Sequence, residues 1–290
     1  MDYWKDFRKV FFTLMTPGSF WMLLFFVVPM GFLFVLSFSS KAIVNGETSI
    51  LDYNYFSTIA NYVDAAGSSY LVLLGRAVLW SAISTIVCLL LAYPLAFAVC
   101  FSAPKWRPIL LLLLILPFWI NLLIRTYALI QVLRTNGFLN QALGFFHLPQ
   151  TDILFGTSAV IMGLVYVYLP FMVLPLYSTI EKLDKSYLEA SLDLGASQPR
   201  TFWSITLPLT MPGVITGIIL VFIPCLGSFL TSDLLGGPNN WMIGNAIQNQ
   251  FGEANNWPFG AALSFILMYA TFFVLFIRAM LTRRSKGVDA

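Results

Sequence analysis

The sequence predicts an all-α integral membrane protein with six transmembrane helices. Composition is the first reason: of 290 residues, 59% are hydrophobic and 10% charged, against about 45–50% and about 25% in a soluble domain. Clustering is the second, because the apolar residues gather into six long runs that a water-soluble core would not require. The third is length. A helix crossing about 30 Å of hydrocarbon needs about 20 apolar residues, and within lipid the backbone must satisfy its own hydrogen bonds, as a helix does.

The spans read as residues 20–40, 77–101, 109–133, 157–180, 211–232 and 259–277. The first is too long for a signal peptide and no small-residue cleavage site follows it, so it is read as an uncleaved helix. Pro29, Pro94, Pro117, Pro170, Pro175 and Pro224 interrupt the runs. Each removes one helix hydrogen bond and is expected to bend its helix rather than end it.

Orientation follows from Lys and Arg. With the N-terminus in the cytoplasm, twelve of the sixteen fall inside: Lys5, Arg8, Lys9, Lys105, Arg107, Lys182, Lys185, Arg200, Arg278, Arg283, Arg284 and Lys286. Lys41, Arg76, Arg125 and Arg134 remain on or near the outer side. Both termini are therefore expected inside, with outer loops at 41–76, 134–156 and 233–258. The inner side has a short connection at 103–107 and a long loop at 181–209. Residues 1–69 form a tail, the first helix and its outer loop; residues 70–278 form the main transmembrane domain; 279–290 is a basic cytoplasmic tail. The net charge of +3 follows this placement and does not indicate a nucleic-acid partner.

Several functional classes are disfavoured. Ionisable groups inside a membrane usually mark ion or proton pathways, yet Arg125 is the one charge well inside a span and Asp233 sits at the outer edge of the fifth. An ion-coupled carrier would be expected to show more carboxylates, and often inverted repeats, which are not detectable. The chain lacks a phosphate-binding loop, which needs a lysine directly after a glycine; none of the seven lysines has one. No nucleophile–base pair or metal cluster suggests an enzyme. Cys88, Cys100 and Cys225 lie far apart in apolar runs and are expected to be packing residues, and His147 is expected at the surface. Energy for active transport must then arrive through a cytoplasmic contact surface.

The 181–209 loop suits that role. Residues 186–194 are expected to form a short amphipathic helix, with Ser186 as N-cap, Glu189 completing a capping box and Gly195 at the C′ stop. Leu188, Leu192 and Gly195 fall near one face by their spacing. Glu189-Ala190-Ser191 is followed after three residues by Gly195, and nine residues later by Ile205, Leu207 and Pro208. This resembles the Glu-Ala-Ala, Gly, Ile-x-Leu-Pro signature of permease subunits of bacterial binding-protein-dependent ABC importers, with Ser191 in place of the second alanine. The resemblance implies a type I ABC importer transmembrane fold over about residues 70–278. It also implies a coupling helix seated in a partner ATPase, a transporter built with two ATPase copies and a second related permease, and ATP and magnesium bound by the ATPase and not by this chain.

Four further stretches, beginning at Leu116, Leu174, Ser232 and Trp257, are similar to the spermidine/putrescine permeases of the B type. That resemblance implies polyamine import across a bacterial inner membrane with a periplasmic polyamine-binding protein. Another small solute is the alternative, and an ion-coupled carrier a more distant one. Outer acids Glu47, Asp52, Asp64, Asp152, Asp233 and Glu253 would favour a cation by long-range attraction. Outer aromatics Trp119, Tyr127, Trp241 and Trp257 could hold ammonium groups or simply anchor the interface. Asp233, Glu253, Trp119, Tyr127 and Trp241 are the candidate pathway residues. Arg125 would repel a polyamine and is expected to pair with an acid, Asp233 being one candidate, or to cap a helix end.

Overall fold

The computed structural model describes residues 3–41 and 53–286, with side chains over 10–40 and 53–276. The outer acids Glu47 and Asp52 lie outside the described residues, as do the side chains of the 279–290 tail.

In chain order, α1 (Tyr3–Met22), a π turn (Leu23–Val27) and α2 (Val28–Ser37) form one run. A two-residue antiparallel pair follows, β1 (Ser40–Lys41) with β2 (Tyr53–Asn54), Ser40 opposite Asn54. Next come α3 (Ala60–Ala65), the long α4 (Ser68–Phe101), α5 (Arg107–Ile115), a 3-10 turn (Leu116–Trp119), α6 (Leu122–Leu133) and α7 (Phe138–Phe145). After α8 (Thr157–Glu181) come the short α9 (Ser186–Asp193), α10 (Gln198–Thr201), a second π turn (Phe202–Thr206) and α11 (Leu207–Leu226). The chain ends with α12 (Leu230–Gly236), a 3-10 turn (Pro238–Asn240), α13 (Ile243–Phe251) and α14 (Trp257–Lys286). Five runs among the described residues are long and apolar enough to cross a membrane, or six if a pair of helices bent by 96° is counted as one span.

The chain divides into two compact units, Met1–Leu71 with Ala246–Ala290, and Val72–Asn245. In the first, Phe34 packs edge-on against Phe265 at 5.3 Å between ring centroids, joining α2 to α14. Helix α2 ends with free carbonyls, and the Asn61 amide donates to those of Ser37 and Ser39 at 3.0 and 2.9 Å. That satisfies groups a helix terminus leaves open. Side chains from Val10 to Pro29 are exposed throughout; a run this apolar is stable there only against hydrocarbon or another protein.

In the second unit α11 lies against α8 at close range. A Cβ at Gly213 would meet the Thr179 side chain and stand 2.9 Å from the Pro175 carbonyl, and one at Gly217 would stand 2.5 Å from Met172 Sδ. Two glycines four residues apart thus give the flat face that lets membrane helices approach. Cys88, Cys100 and Cys225 are buried and unbridged, as expected of packing residues.

Two predicted spans need correction. The 109–133 span is not one helix: its two parts, Arg107–Trp119 and Leu122–Phe145, are bent by 96°. Pro117 cannot donate into the preceding turn, Ile120 is extended, and the Asn121 side chain caps α6 by accepting from the Leu123 amide at 2.8 Å. The fifth span runs over Gln198–Leu226 instead of 211–232, so residues 198–209 of the predicted inner loop are already helix. Its π turn ends two residues before Pro208, where the Leu207 amide reaches back to Phe202. The first span repeats the device: the Val28 amide reaches Leu23 just before Pro29. In both spans a wide turn lies directly ahead of a proline, a place where the helix ladder is already interrupted.

Candidate functional site

The segment over residues 181–209 is built from local interactions. Helix α9 covers nearly the predicted residues, but its N-terminal cap differs. The Ser186 amide donates to the Asp184 carboxylate at 3.0 Å, so Asp184 caps the helix and Ser186 is already its first residue. That amide, with the Ser186 side chain, holds the Asp184 carboxyl below its usual range. The predicted capping box between Ser186 and Glu189 is not made, because Asp184 reaches the open amide first.

The C-terminal stop is as expected. Gly195 has φ +82°, its amide donates to Leu192 at 2.9 Å, and the Ala196 amide donates to Ser191 at 3.1 Å. These two bonds define a Schellman motif, which places a left-handed residue at C′. Nothing lies within 4 Å of a Cβ built on Gly195, so conformation, not space, calls for glycine.

Glu189 and Ala190 are exposed, Ile205 and Leu207 half-buried and Pro208 exposed. Around them Tyr187, Leu192, Leu194 and Trp203 also stand open, Leu194 with 89% of its surface exposed. Beneath α9, Leu188 faces a small cavity that it shares with Phe101, Ile180 and Leu183. Arg107 and Glu181 approach to 4.0 Å beside it, and the Lys185 ammonium lies 5.4 Å from the Phe101 ring centroid. The partly solvated ion pair contributes little. Ser191 is buried, and its hydroxyl lies 2.9 Å from that of Thr201 in α10.

On the outer side the candidate residues are dispersed. Asp233 does not end the fifth span. That helix stops at Leu226, and Asp233 lies exposed on the separate α12. Trp119 stands at the break between α5 and α6, 76% exposed, and Tyr127 is exposed on α6. Trp241 is half-buried, its carbonyl accepting from Arg76 at 3.2 Å. Glu253 belongs to the other unit and accepts from the Asn249 amide at 3.3 Å. No hydrogen bond, ion pair or ring contact joins Asp233, Trp119, Tyr127 and Trp241 among the described residues.

Arg125 also departs from expectation. It does not pair with Asp233. The side chain is buried, Nε has no hydrogen-bond partner, and the guanidinium lies 5.7 Å from the Phe118 ring centroid. Phe118 in turn packs edge-on against Phe171 of α8 at 5.2 Å. Arg125 therefore closes the bend of the broken span by a cation–π contact, worth about 0.5–2 kcal/mol, where an acid partner or a helix end was expected.

Sequence reasoning missed the polar clasps of the outer loops. Arg76 donates to the Asn239 carbonyl at 2.8 Å and packs over Trp80. Asn240 donates to Phe155 and Gly236, both at 2.9 Å. Buried Asn245 accepts from Ser232 at 2.6 Å and from the Met242 amide at 3.0 Å. Asparagines in a loop are common, so the one available signal was their concentration after Gly236-Gly237-Pro238.

Comparison with known proteins places this geometry. The model of the family described as binding-protein-dependent transport system inner membrane component matches residues 67–287. The chain is 45% identical over 249 residues to the spermidine/putrescine transport system permease protein PotB of Escherichia coli K12, covering 85% of this chain and 88% of that one. It is 42% identical over 275 residues to PotB of Haemophilus influenzae, covering 93% and 94%. Among solved structures, a chain of a bacterial alginate ABC transporter bound to its periplasmic protein superposes with a TM-score of 0.74 at 16% identity, covering 98% of both. At that identity the likeness concerns the fold alone.

Proposed function

The chain belongs to the family of binding-protein-dependent transport system inner membrane components, and from that premise we propose that it forms half of a passage for polyamines. It is a multi-pass transport subunit of an inner membrane, working with an ATPase and a substrate-binding protein. In the proposed complex two ATPase copies bind ATP and magnesium, a second related permease completes the passage, and a periplasmic polyamine-binding protein docks on the outer loops. Both termini face the cytoplasm, which puts α9 on the ATPase side. There the open side chains Tyr187, Leu192 and Leu194 supply apolar surface for a cleft in the ATPase. Closure of the two ATPases would move this helix and its counterpart and rock the membrane halves between inward- and outward-facing states.

The observation that carries the substrate is the 42–45% identity to spermidine/putrescine permeases across most of the chain. Exposed Asp233 and Glu253, and exposed Trp119 and Tyr127, support it, because carboxylates and aromatic faces attract ammonium groups. The test is radiolabelled spermidine uptake in cells lacking this gene but retaining its partner subunits. The wild-type gene is expected to restore uptake, and Asp233→Asn to restore markedly less at equal membrane levels. Failure of the wild-type gene would remove the polyamine assignment; full uptake by the variant would take Asp233 off the pathway.

A further inference from the structure

The departure of this sequence from its family signature coincides with a specific contact. Where the signature has its second alanine, this chain has Ser191, whose hydroxyl meets that of Thr201 at 2.9 Å. Both residues are buried, with 7% and 6% of their surface exposed, although Glu189, Ala190 and Leu192 around Ser191 are open. Ser191 lies in α9 and also supplies the carbonyl that accepts the Ala196 amide at the Schellman stop. Thr201 ends the first turn of the run that continues through the π turn into α11, and its amide donates to Ser197 at 2.9 Å. The hydroxyl pair therefore bridges the loop of residues 194–197, joining the coupling helix to the next helix just ahead of its π turn.

We infer that Ser191 and Thr201 are positioning residues that make α9 and the start of the 198–226 helix move as one lever. Without the bond, α9 would be tied to that helix through the backbone of Leu194–Ser197 and the contacts beside it. A push on α9 could then be absorbed by rotation about Gly195, the residue with the positive φ. With it, the displacement passes to the helix base, and the π turn at Phe202–Thr206, a weaker stretch of the hydrogen-bond ladder, takes up the bend. A buried hydroxyl pair has little competition from water, so removing one partner leaves the other poorly satisfied.

This inference rests on the coupling role proposed above for α9, but not on the identity of the substrate. The test uses the assembled transporter in proteoliposomes, comparing Ser191→Ala, Thr201→Val and the double variant, with Thr201→Ser as the hydroxyl-retaining control. Two quantities are read: ATP hydrolysis stimulated by the loaded binding protein, and solute accumulated per ATP hydrolysed. Co-purification of the ATPase reports assembly. Each single variant is expected to lower solute per ATP about fivefold, the scale of one hydrogen bond, with the ATPase still bound. The double variant should be no worse than either single, and Thr201→Ser should retain wild-type coupling. Unchanged coupling in both single variants, or losses that multiply in the double, would overturn the inference. Normal solute per ATP and ATPase recovery in a Gly195→Val complex run alongside would instead overturn the coupling role of α9.

Discussion

Replacing Gly195 with valine is expected to detach the ATPase while leaving the subunit in the membrane. The backbone at this position has φ +82°, a region that costs an L-residue about 1–2 kcal/mol, and more for a β-branched one. The neighbourhood is open, with no heavy atom within 4 Å of a Cβ, so no steric term within the chain adds to that figure. The penalty falls on the two bonds that end α9, from Gly195 to Leu192 and from Ala196 to Ser191. A loss of about 1–2 kcal/mol lowers the population of the capped conformation roughly 5- to 30-fold relative to its alternatives. The assay is recovery of the ATPase with the permease after detergent extraction, together with solute uptake and the amount of subunit in the membrane. Asparagine tolerates the left-handed region, so Gly195→Asn should stay near wild type, Gly195→Ala should be intermediate and Gly195→Val worst. Normal uptake and ATPase recovery in Gly195→Val would refute the assignment of α9 as the coupling helix. If Gly195→Asn were as damaging as valine, conformation would not be the cause, and direct packing of a partner on the glycine would replace it.

Other outcomes follow from the same geometry. Because the Ser186 amide holds the Asp184 carboxyl below its usual range, its contribution to folding is present above the unfolded-state pKa and is lost as pH falls through the depressed value. Protection of the Ser186 amide, measured as its hydrogen-exchange rate relative to the intrinsic rate at each pH, should therefore fall on acidification in the wild type but not in Asp184→Asn, which keeps an acceptor without titrating; equal pH dependence in both would remove Asp184 as the cap. At the α8–α11 contact, Gly213→Ala should lower thermal stability by about 1–3 kcal/mol through overpacking, since the added methyl meets the Pro175 carbonyl. Gly217→Ala should cost less, because it meets the movable end of Met172, and the reverse order in melting temperatures would show that the two helices do not pack as described.

Much of this protein was legible in the sequence because the relevant signals are local. Hydropathy over windows of membrane-spanning length located the apolar runs but not the break in the third or the start of the fifth, since solvation by hydrocarbon depends on composition alone. Helix α9 was legible for a similar reason: a short polar segment stopped by a glycine needs no tertiary partner to define its ends. Tertiary structure decided what depends on distant neighbours. Six prolines looked alike along the chain, yet the sharp break came at Pro117, where Arg125 and Phe171 hold Phe118 on either side. Arg125 carried a full charge in an apolar run, and charge alone led to an acid partner or a helix end, whereas the fold supplied an aromatic face. The fifth helix began at Gln198, with a π turn over Phe202–Thr206 just ahead of Pro208, so that residues with the polarity of a loop became its base. Ser191 looked like a harmless replacement for alanine until the chain folded back and set Thr201 against it. Sequence fixes the solvent and conformation each segment prefers; which side chain lies opposite, and hence what a buried polar group can bond, is set by elements far apart in the chain.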